Sequence, residues 1–293
     1  MLPPESAETS DSLVDTALNG WKIQTGADPP TGSAAHRQRE WDCCWTNQAW
    51  TTLHESANNA TDRARLLASR APHAGDWLLA PPVSALGLRL SNEEIRIAAG
   101  IRLGTTLCQP HLCHCGERVD ARGLHGLACR KNSGRHQRHN MLNDIIWRSL
   151  GRANIPSQKE PLGLTREDGK RPDGVTLIPW SRGRCLTWDV TVADTFAASH
   201  LAATSTGAGE AANRAAVAKR SKYATITRTH DFVPIALESS GAWSSEGLDF
   251  VLELGRRLTD ATRDTLETSY LFQRLSVAIQ RGNAIRFSST LPY

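Results

Sequence analysis

Two aspartates head the residues able to do chemistry. Arg171-Pro172-Asp173-Gly174 opens one extended stretch, and Trp188-Asp189-Val190-Thr191 lies within the next. Phosphodiester hydrolysis needs carboxylates that converge on one or two divalent cations, Mg2+ or Mn2+, which activate water and neutralise charge on the scissile phosphate. A lysine commonly adds positive charge beside them. Two residues beyond Asp189, where such a lysine is expected, the chain has Thr191. Lys219 and Lys222 on a following helix, three residues apart, are the alternatives, because that spacing lets a helix project either one back over the acids. An exposed helix face carrying ordinary lysines would give the same pattern.

A second constellation is richer in soft ligands. Cys113-His114-Cys115-Gly116 is followed by His125 and Cys129, which makes Cys-x-Cys and then His-x-x-x-Cys. Two thiolates at a tight turn, closed by a histidine and a cysteine one helical turn apart, supply the tetrahedral N/S set that zinc prefers. Four protein ligands leave no open position, so the expected role is structural. Cys108 and His111 are spare candidates for one ligand place. Four of the seven cysteines fall between Cys108 and Cys129, beside histidines, which favours a metal over disulfides in a reducing compartment.

Between these constellations runs an acid-free basic stretch containing Arg130, Lys131, Arg135, His136, Arg138 and His139. From Arg102 to Lys159 there are ten Lys/Arg against three acids and five of the ten histidines, whereas the whole chain carries only +4. Such concentration suits phosphate contact, partly at a helix N-terminus, and Arg171 extends it to the first aspartate. A solvated basic linker is the plainer explanation. Glu160 is an outside candidate for a third acid, as are Asp194 and Glu238. Gln273, Arg274, Gln280 and Arg281 on the last helix read as facing DNA or water, and Trp147, Trp180 and Trp243 as core.

The elements that must position these groups follow from periodicity. Residues 1–36, rich in Pro, Gly, Ser and Thr, read as a linker or disordered start. Residues 37–104 read as helical, with Ser91-Asn92-Glu93-Glu94 matching a capping box. Residues 105–132 form the metal knuckle, and residues 133–285 an α/β domain, followed by a tail at 286–293. Within that domain the order is a helix from Arg138 to Leu150, strands near 155–164, 171–180 and 185–192, an Ala-rich helix over 210–223, a strand at 232–238, and helices near 246–258 and 259–281. In 185–192, Leu186, Trp188, Val190 and Val192 alternate with Cys185, Thr187, Asp189 and Thr191, so Asp189 lies opposite the apolar face. A four-residue loop over 181–184 would put Asp173 on the other face. Both acids share one face only if the loop is odd or the ladder contains a bulge.

Taken together and in order, Cys-x-Cys-Gly, His-x-x-x-Cys, Gly134-Arg135-His136-Gln137-Arg138-His139-Asn140, Lys170-Arg171-Pro172-Asp173-Gly174, Trp188-Asp189-Val190-Thr191 and Lys219/Lys222-Tyr223 resemble the C-terminal zinc knuckle and restriction-like endonuclease domain of site-specific non-LTR retrotransposon proteins. The resemblance covers about residues 105–285, and more loosely 37–104, which look like the linker after a reverse transcriptase. It implies a mixed-sheet PD-(D/E)xK core flanked by helices, with Asp173 and Asp189 as magnesium ligands and Lys219 or Lys222 as the catalytic lysine. It also implies zinc on Cys113, Cys115, His125 and Cys129. The implied activity is nicking of target DNA to leave a 3′-hydroxyl that primes reverse transcription. DNA would be the partner, with element RNA or a separate reverse transcriptase as further ones. No Tyr/Phe-x-Asp-Asp motif occurs, so the expectation is a fragment or descendant of such a reading frame without its polymerase. The competing expectation is a catalytically inactive, zinc-containing nucleic-acid-binding remnant. Neither a signal-peptide pattern nor a membrane-length apolar run is present, and no small-molecule substrate is indicated. The expected setting is therefore soluble, and nuclear by virtue of the DNA.

Overall fold

In a computed structural model, the described residues are 7–132, 134–165 and 169–292, with side chains from residue 12 onward. The chain divides into two compact units, Met1–Ala57 and Asn58–Tyr293. The first unit contains α1 (Ala7–Thr25) and α2 (Gln38–Glu55). The stretch read as a linker is thus largely helical. No proline interrupts residues 7–25, and Leu13, Ala17 and Trp21 recur at helical spacing until Asp28-Pro29-Pro30 stops the pattern. Trp21 meets Trp41 of α2 edge-on, with ring centroids 5.4 Å apart.

The second unit begins with α3 (Ala60–Arg70) and α4 (Asn92–Leu103). The capping box of α4 forms as its sequence requires. Ser91 Oγ accepts from the Glu94 amide at 3.2 Å and Glu94 accepts from the Ser91 amide at 2.6 Å. The metal knuckle follows as a two-stranded ribbon, β1 (His111–Leu112) against β2 (Arg118–Val119), and a short helix α5 (His125–Ala128). Next come α6 (Gly134–Arg152), β3 (Ser157–Lys159), β4 (Gly174–Thr176) and β5 (Leu186–Ala193). They are followed by α7 (Ala198–Thr204), α8 (Glu210–Lys222), β6 (Asp231–Glu238), α9 (Ser245–Thr262) and α10 (Glu267–Ser288). The boundary drawn at 104 and the tail drawn at 286 do not appear as breaks. Ile97 and Ile101 of α4 pack with Leu127 of the knuckle and Phe287 of α10 in one cluster.

The sheet has the order β3-β4-β5-β6, with the first three strands antiparallel and β6 parallel to β5. A parallel return needs a crossover, which α7 and α8 supply. Leu186, Trp188 and Val190 join Leu142, Ile146 and Leu150 of α6, Leu254 and Leu258 of α9 and Leu271 and Leu275 of α10 in the main core. The opposite face of the sheet meets α8 through Ala212 and Ala216, which pack on Ala236 of β6. Alanines let helix and sheet approach closely, and this side of β5 carries Asp189. The fold is therefore mixed α/β with helices on both faces of a four-stranded sheet.

Candidate active site and metal centre

The ladder between β4 and β5 contains the irregularity that the two aspartates require. At the hairpin tip Ser181 bridges Arg184, whereas at Val175 the partner is Thr187. Six residues back along one strand correspond to only three along the other, so residues of the first strand bulge outward and the register changes parity. Leu177 and Ile178 are exposed in this bulge, and the Thr176 hydroxyl receives the Leu186 amide at 2.9 Å in place of a main-chain carbonyl. With that shift Asp173 and Asp189 line one cavity of about 470 Å3.

Each acid is held differently. Asp173 Oδ2 accepts from the Val190 amide at 2.6 Å and lies 2.9 Å from His139 Nε2. The main chain of Asp173 is tied to β5 and β3, its amide donating to Trp188 O at 2.9 Å and its carbonyl accepting from Glu160 at 3.0 Å. Gly174 follows because the Trp188 indole lies across it. A Cβ there would stand 2.0 Å from Trp188 Cζ2. The indole N–H in turn donates to Asn143 Oδ1 of α6 at 2.8 Å. Asp189 is buried and ion-paired with Lys219 Nζ. Burial pushes the Asp189 carboxyl above the usual aspartate value, the Asp173 charge adds to this, and Lys219 opposes both. The Asp173 carboxylate holds His139 above the usual histidine value against the effect of burial.

The two lysines separate in space. Lys219 reaches Asp189, whereas Lys222 Nζ donates to the Tyr223 hydroxyl at 2.8 Å, and that hydroxyl donates to Arg171 O at 2.7 Å. Glu160 also lines the cavity but pairs with Arg171. Asp194 and Glu238 lie away from the cavity lining, buried and raised above the usual carboxylate values by that burial. Asp194 accepts from Ser239 Oγ at 2.7 Å, and Glu238 accepts from the Ala211 amide at the start of α8 at 3.0 Å.

Of the basic stretch, Arg130, Lys131, Arg135 and His136 are exposed. Arg138 is not on that surface. It is buried, with its guanidinium on Asn283 Oδ1 at 2.7 Å, although it still contributes to the cavity wall with Arg135 and His139. His139 is half-buried on Asp173 rather than free on the surface. On the last helix Gln273 and Gln280 are buried, and Arg281 pairs with Glu94, so these side chains do not form an open polar face. Trp147 departs from its core assignment: it is exposed, its indole donates to Ser157 O at 3.1 Å, and Lys159 lies over the ring. Trp180 and Trp243 pack against the main core as expected.

Sequence reasoning left out Asn143, and Tyr223 entered it only as part of a motif. A signal for the first exists: His139, Asn143, Ile146 and Leu150 share one α6 face, which is apolar where it meets the core and polar where it crosses the acids.

The knuckle brings its four candidate ligands together. The ligand atoms of Cys113, Cys115, His125 and Cys129 all lie within 4.8 Å of one another. Cys113 Sγ and Cys129 Sγ are 3.9 Å apart, and Cys115 Sγ is 3.2 Å from His125 Nε2. Tetrahedral coordination at Zn–S distances of about 2.3 Å puts sulfurs ~3.8 Å apart, so the donor set fits a metal such as zinc. Cys108 and His111 are outside the group, hydrogen-bonded to Asp120 O and Gln109 O respectively. Burial pushes the Cys129 thiol up to about 11, while the Glu117 backbone N–H draws Cys115 down.

No protein-family model matches the sequence, and no curated protein matches it either.

Proposed function

We propose that the chain is a divalent-metal-dependent DNA endonuclease module with a structural zinc knuckle, built on a PD-(D/E)xK core. The observation that carries this reading is the odd register shift that puts Asp173 and Asp189 on one cavity with Lys219 beside them. The order of α6, three antiparallel strands, α8 and a parallel fourth strand supports the same core. Asp173 and Asp189 are the residues that would hold Mg2+ or Mn2+. Their oxygen donors suit hard cations, and a buried, burial-raised Asp189 gains from a cation in the cavity. When bound, such an ion supplies Lewis acidity toward a phosphate oxygen and an activated water.

The chain's own groups do the rest. Lys219 balances the charge of Asp189 and is placed to stabilise negative charge on a phosphate. His139 and the Val190 amide fix the rotamer of Asp173. Arg130, Lys131, Arg135 and His136 offer exposed positive or ionisable groups to a DNA backbone, and Arg171 contributes at the cavity rim beside Glu160. The relation to non-LTR retrotransposon endonucleases rests on the ordered motifs, and a nuclear location follows from the proposed substrate. Element RNA and a separate reverse transcriptase belong to the same proposal.

The test is Mg2+-dependent nicking of supercoiled plasmid by wild type, Asp173→Ala and Asp189→Ala. Nicking by wild type alone, with 3′-hydroxyl ends, supports the enzyme. Equal activity in all three proteins removes the site assignment, and DNA binding without nicking in wild type leaves the inactive nucleic-acid-binding remnant.

A further inference from the structure

Lys222 lines the same cavity as Lys219 but donates to a phenol, and that phenol sits at a junction. Tyr223, which ends α8, is fully buried, with its ring tilted against Phe232 at 5.0 Å and in contact with Ile226. Its hydroxyl is held between Arg171 O, to which it donates at 2.7 Å, and Lys222 Nζ, from which it accepts at 2.8 Å. Two pieces of the site thus meet at one oxygen: the chain entering Asp173 and the end of the helix whose Lys219 holds Asp189 on β5.

The local sequence gives this junction a purpose. Pro172 has no amide hydrogen, so the main chain cannot be tied by a donor at the residue just before Asp173. The tether ahead of it is on the Arg171 carbonyl, which accepts from the Tyr223 hydroxyl. Asp173 is then fixed on its far side by its amide on Trp188 O. We propose that Lys222 and Tyr223 form a clamp that sets the spacing of the two carboxylates, with both acting as positioning residues, so that Lys219 alone is the catalytic lysine. This rests on the nuclease reading of Asp173 and Asp189. In the clamp, Lys222 polarises the phenol by donating to its oxygen, which strengthens the phenol's own donation to Arg171. A lysine working this way is replaceable by another donor, whereas a lysine facing the phosphate is not.

The test uses the full chain with the knuckle loaded with zinc and the catalytic cavity free of divalent ions, and compares wild type, Tyr223→Phe, Lys222→Met and Lys222→Arg. The first readout is amide hydrogen exchange at Asp173, whose amide reports attachment to Trp188 without any catalytic metal. The second is Mn2+ affinity by calorimetry. Exchange in Tyr223→Phe and Lys222→Met is expected to be about tenfold faster, and Mn2+ binding about three- to tenfold weaker, the scale of one lost charge-assisted hydrogen bond. Lys222→Arg is expected to match wild type in both. Lys222→Met carries the test if the buried Tyr223→Phe variant does not fold. Wild-type exchange and Mn2+ affinity in Lys222→Met overturn the clamp. So does a Lys222→Arg protein that binds Mn2+ normally yet no longer nicks DNA, because Lys222 would then be catalytic. Asp173→Asn and Asp189→Asn separate the two ideas. Undiminished Mn2+ binding in both refutes the metal site itself, while the exchange result still decides whether the clamp exists.

Discussion

Replacing Lys219 with methionine removes one charge of a buried pair and keeps most of the aliphatic volume. Asp189 has 3% of its side chain exposed and Lys219 25%, so water screens the pair from one end only. At an effective dielectric of about 20 the attraction is ~4 kcal/mol at 4 Å, and allowing for the water at Lys219 leaves about 2–3 kcal/mol lost in the metal-free protein at pH 7. For a unit of this size the melting temperature should fall by roughly 5–10 °C. The pH dependence is the sharper signature. Asp189 is already raised above its ordinary value, chiefly by burial and then by Asp173, with Lys219 opposing. A carboxyl with a raised folded-state pKa binds its proton more tightly in the folded chain. It therefore costs stability as pH rises from the unfolded value through the folded one, and nothing below both. Without Lys219 the folded value climbs further, so the variant's deficit should grow from acid toward neutral pH and close again as Asp189 protonates in both proteins. The assay is a series of thermal melts between pH 4 and 8 without divalent ions, alongside Lys219→Met/Asp189→Asn, which should regain most of the loss. Equal melting temperatures at every pH would refute the argument that Asp189 is a buried charge held by Lys219. In nicking assays the same variant should lose about 100-fold or more in rate with DNA binding retained.

Cys129→Ser should abolish stoichiometric zinc in metal analysis and lower the melting temperature, because the ligand set organises the turn that precedes α6; full zinc content would move the site to other residues. Gly174→Ala should destabilise by about 3 kcal/mol in urea denaturation, since the new methyl would meet the buried Trp188 indole at 2.0 Å and that ring has no room to yield; unchanged stability would mean that the indole does not cross β4. Lys131→Ala and Arg135→Ala should each reduce the slope of log affinity against log salt for DNA by about 1, whereas a buried Arg138 should not behave as an additional phosphate contact; unaltered slopes for the first two would put the DNA elsewhere.

Much of the candidate site was legible because its constraints are local. Alternation along β5 assigns Asp189 to the face opposite Trp188, and the parity of the 181–184 turn then demands an irregular ladder, found as the bulge between Val175 and Ser181. Thr191 in the place of a lysine redirects the search to α8, where helical spacing offers two lysines but cannot choose between them. That choice depends on where the C-terminal end of α8 lies over the sheet, a tertiary fact fixed by Ala212 and Ala216 against Ala236. The knuckle was legible for the same reason as β5. Its ligands are close in sequence, so spacing alone brings them near one another. What sequence could not give was the burial of polar side chains, because a glutamine or arginine in a helix looks the same whether it meets water or a carbonyl.

α10 shows the consequence of that ambiguity. Gln273 and Gln280, expected to face DNA or water, are buried along with Ser276, Asn283 and Arg286. A buried polar group must find a partner or cost stability, and several of these find theirs in other elements. Ser276 receives the Trp77 amide at 3.0 Å, while Asn283 donates to Ser239 O just beyond β6 and accepts from Arg138 of α6. Arg286 donates to Gly126 O and Cys129 O in the knuckle, and Asn132 donates back to Arg286 O at 2.6 Å. Gly126 is needed there because a Cβ would press on the Arg286 carbonyl at 3.0 Å. A helix bonded in this way fixes the metal knuckle, the start of α6 and the end of the sheet relative to one another. His139 and Arg135 reach the acid cavity from that same first part of α6. The buried polar side chains of α10 therefore join the knuckle, through Arg286, and the part of α6 that lines the acid cavity, through Asn283 and Arg138, to one helix.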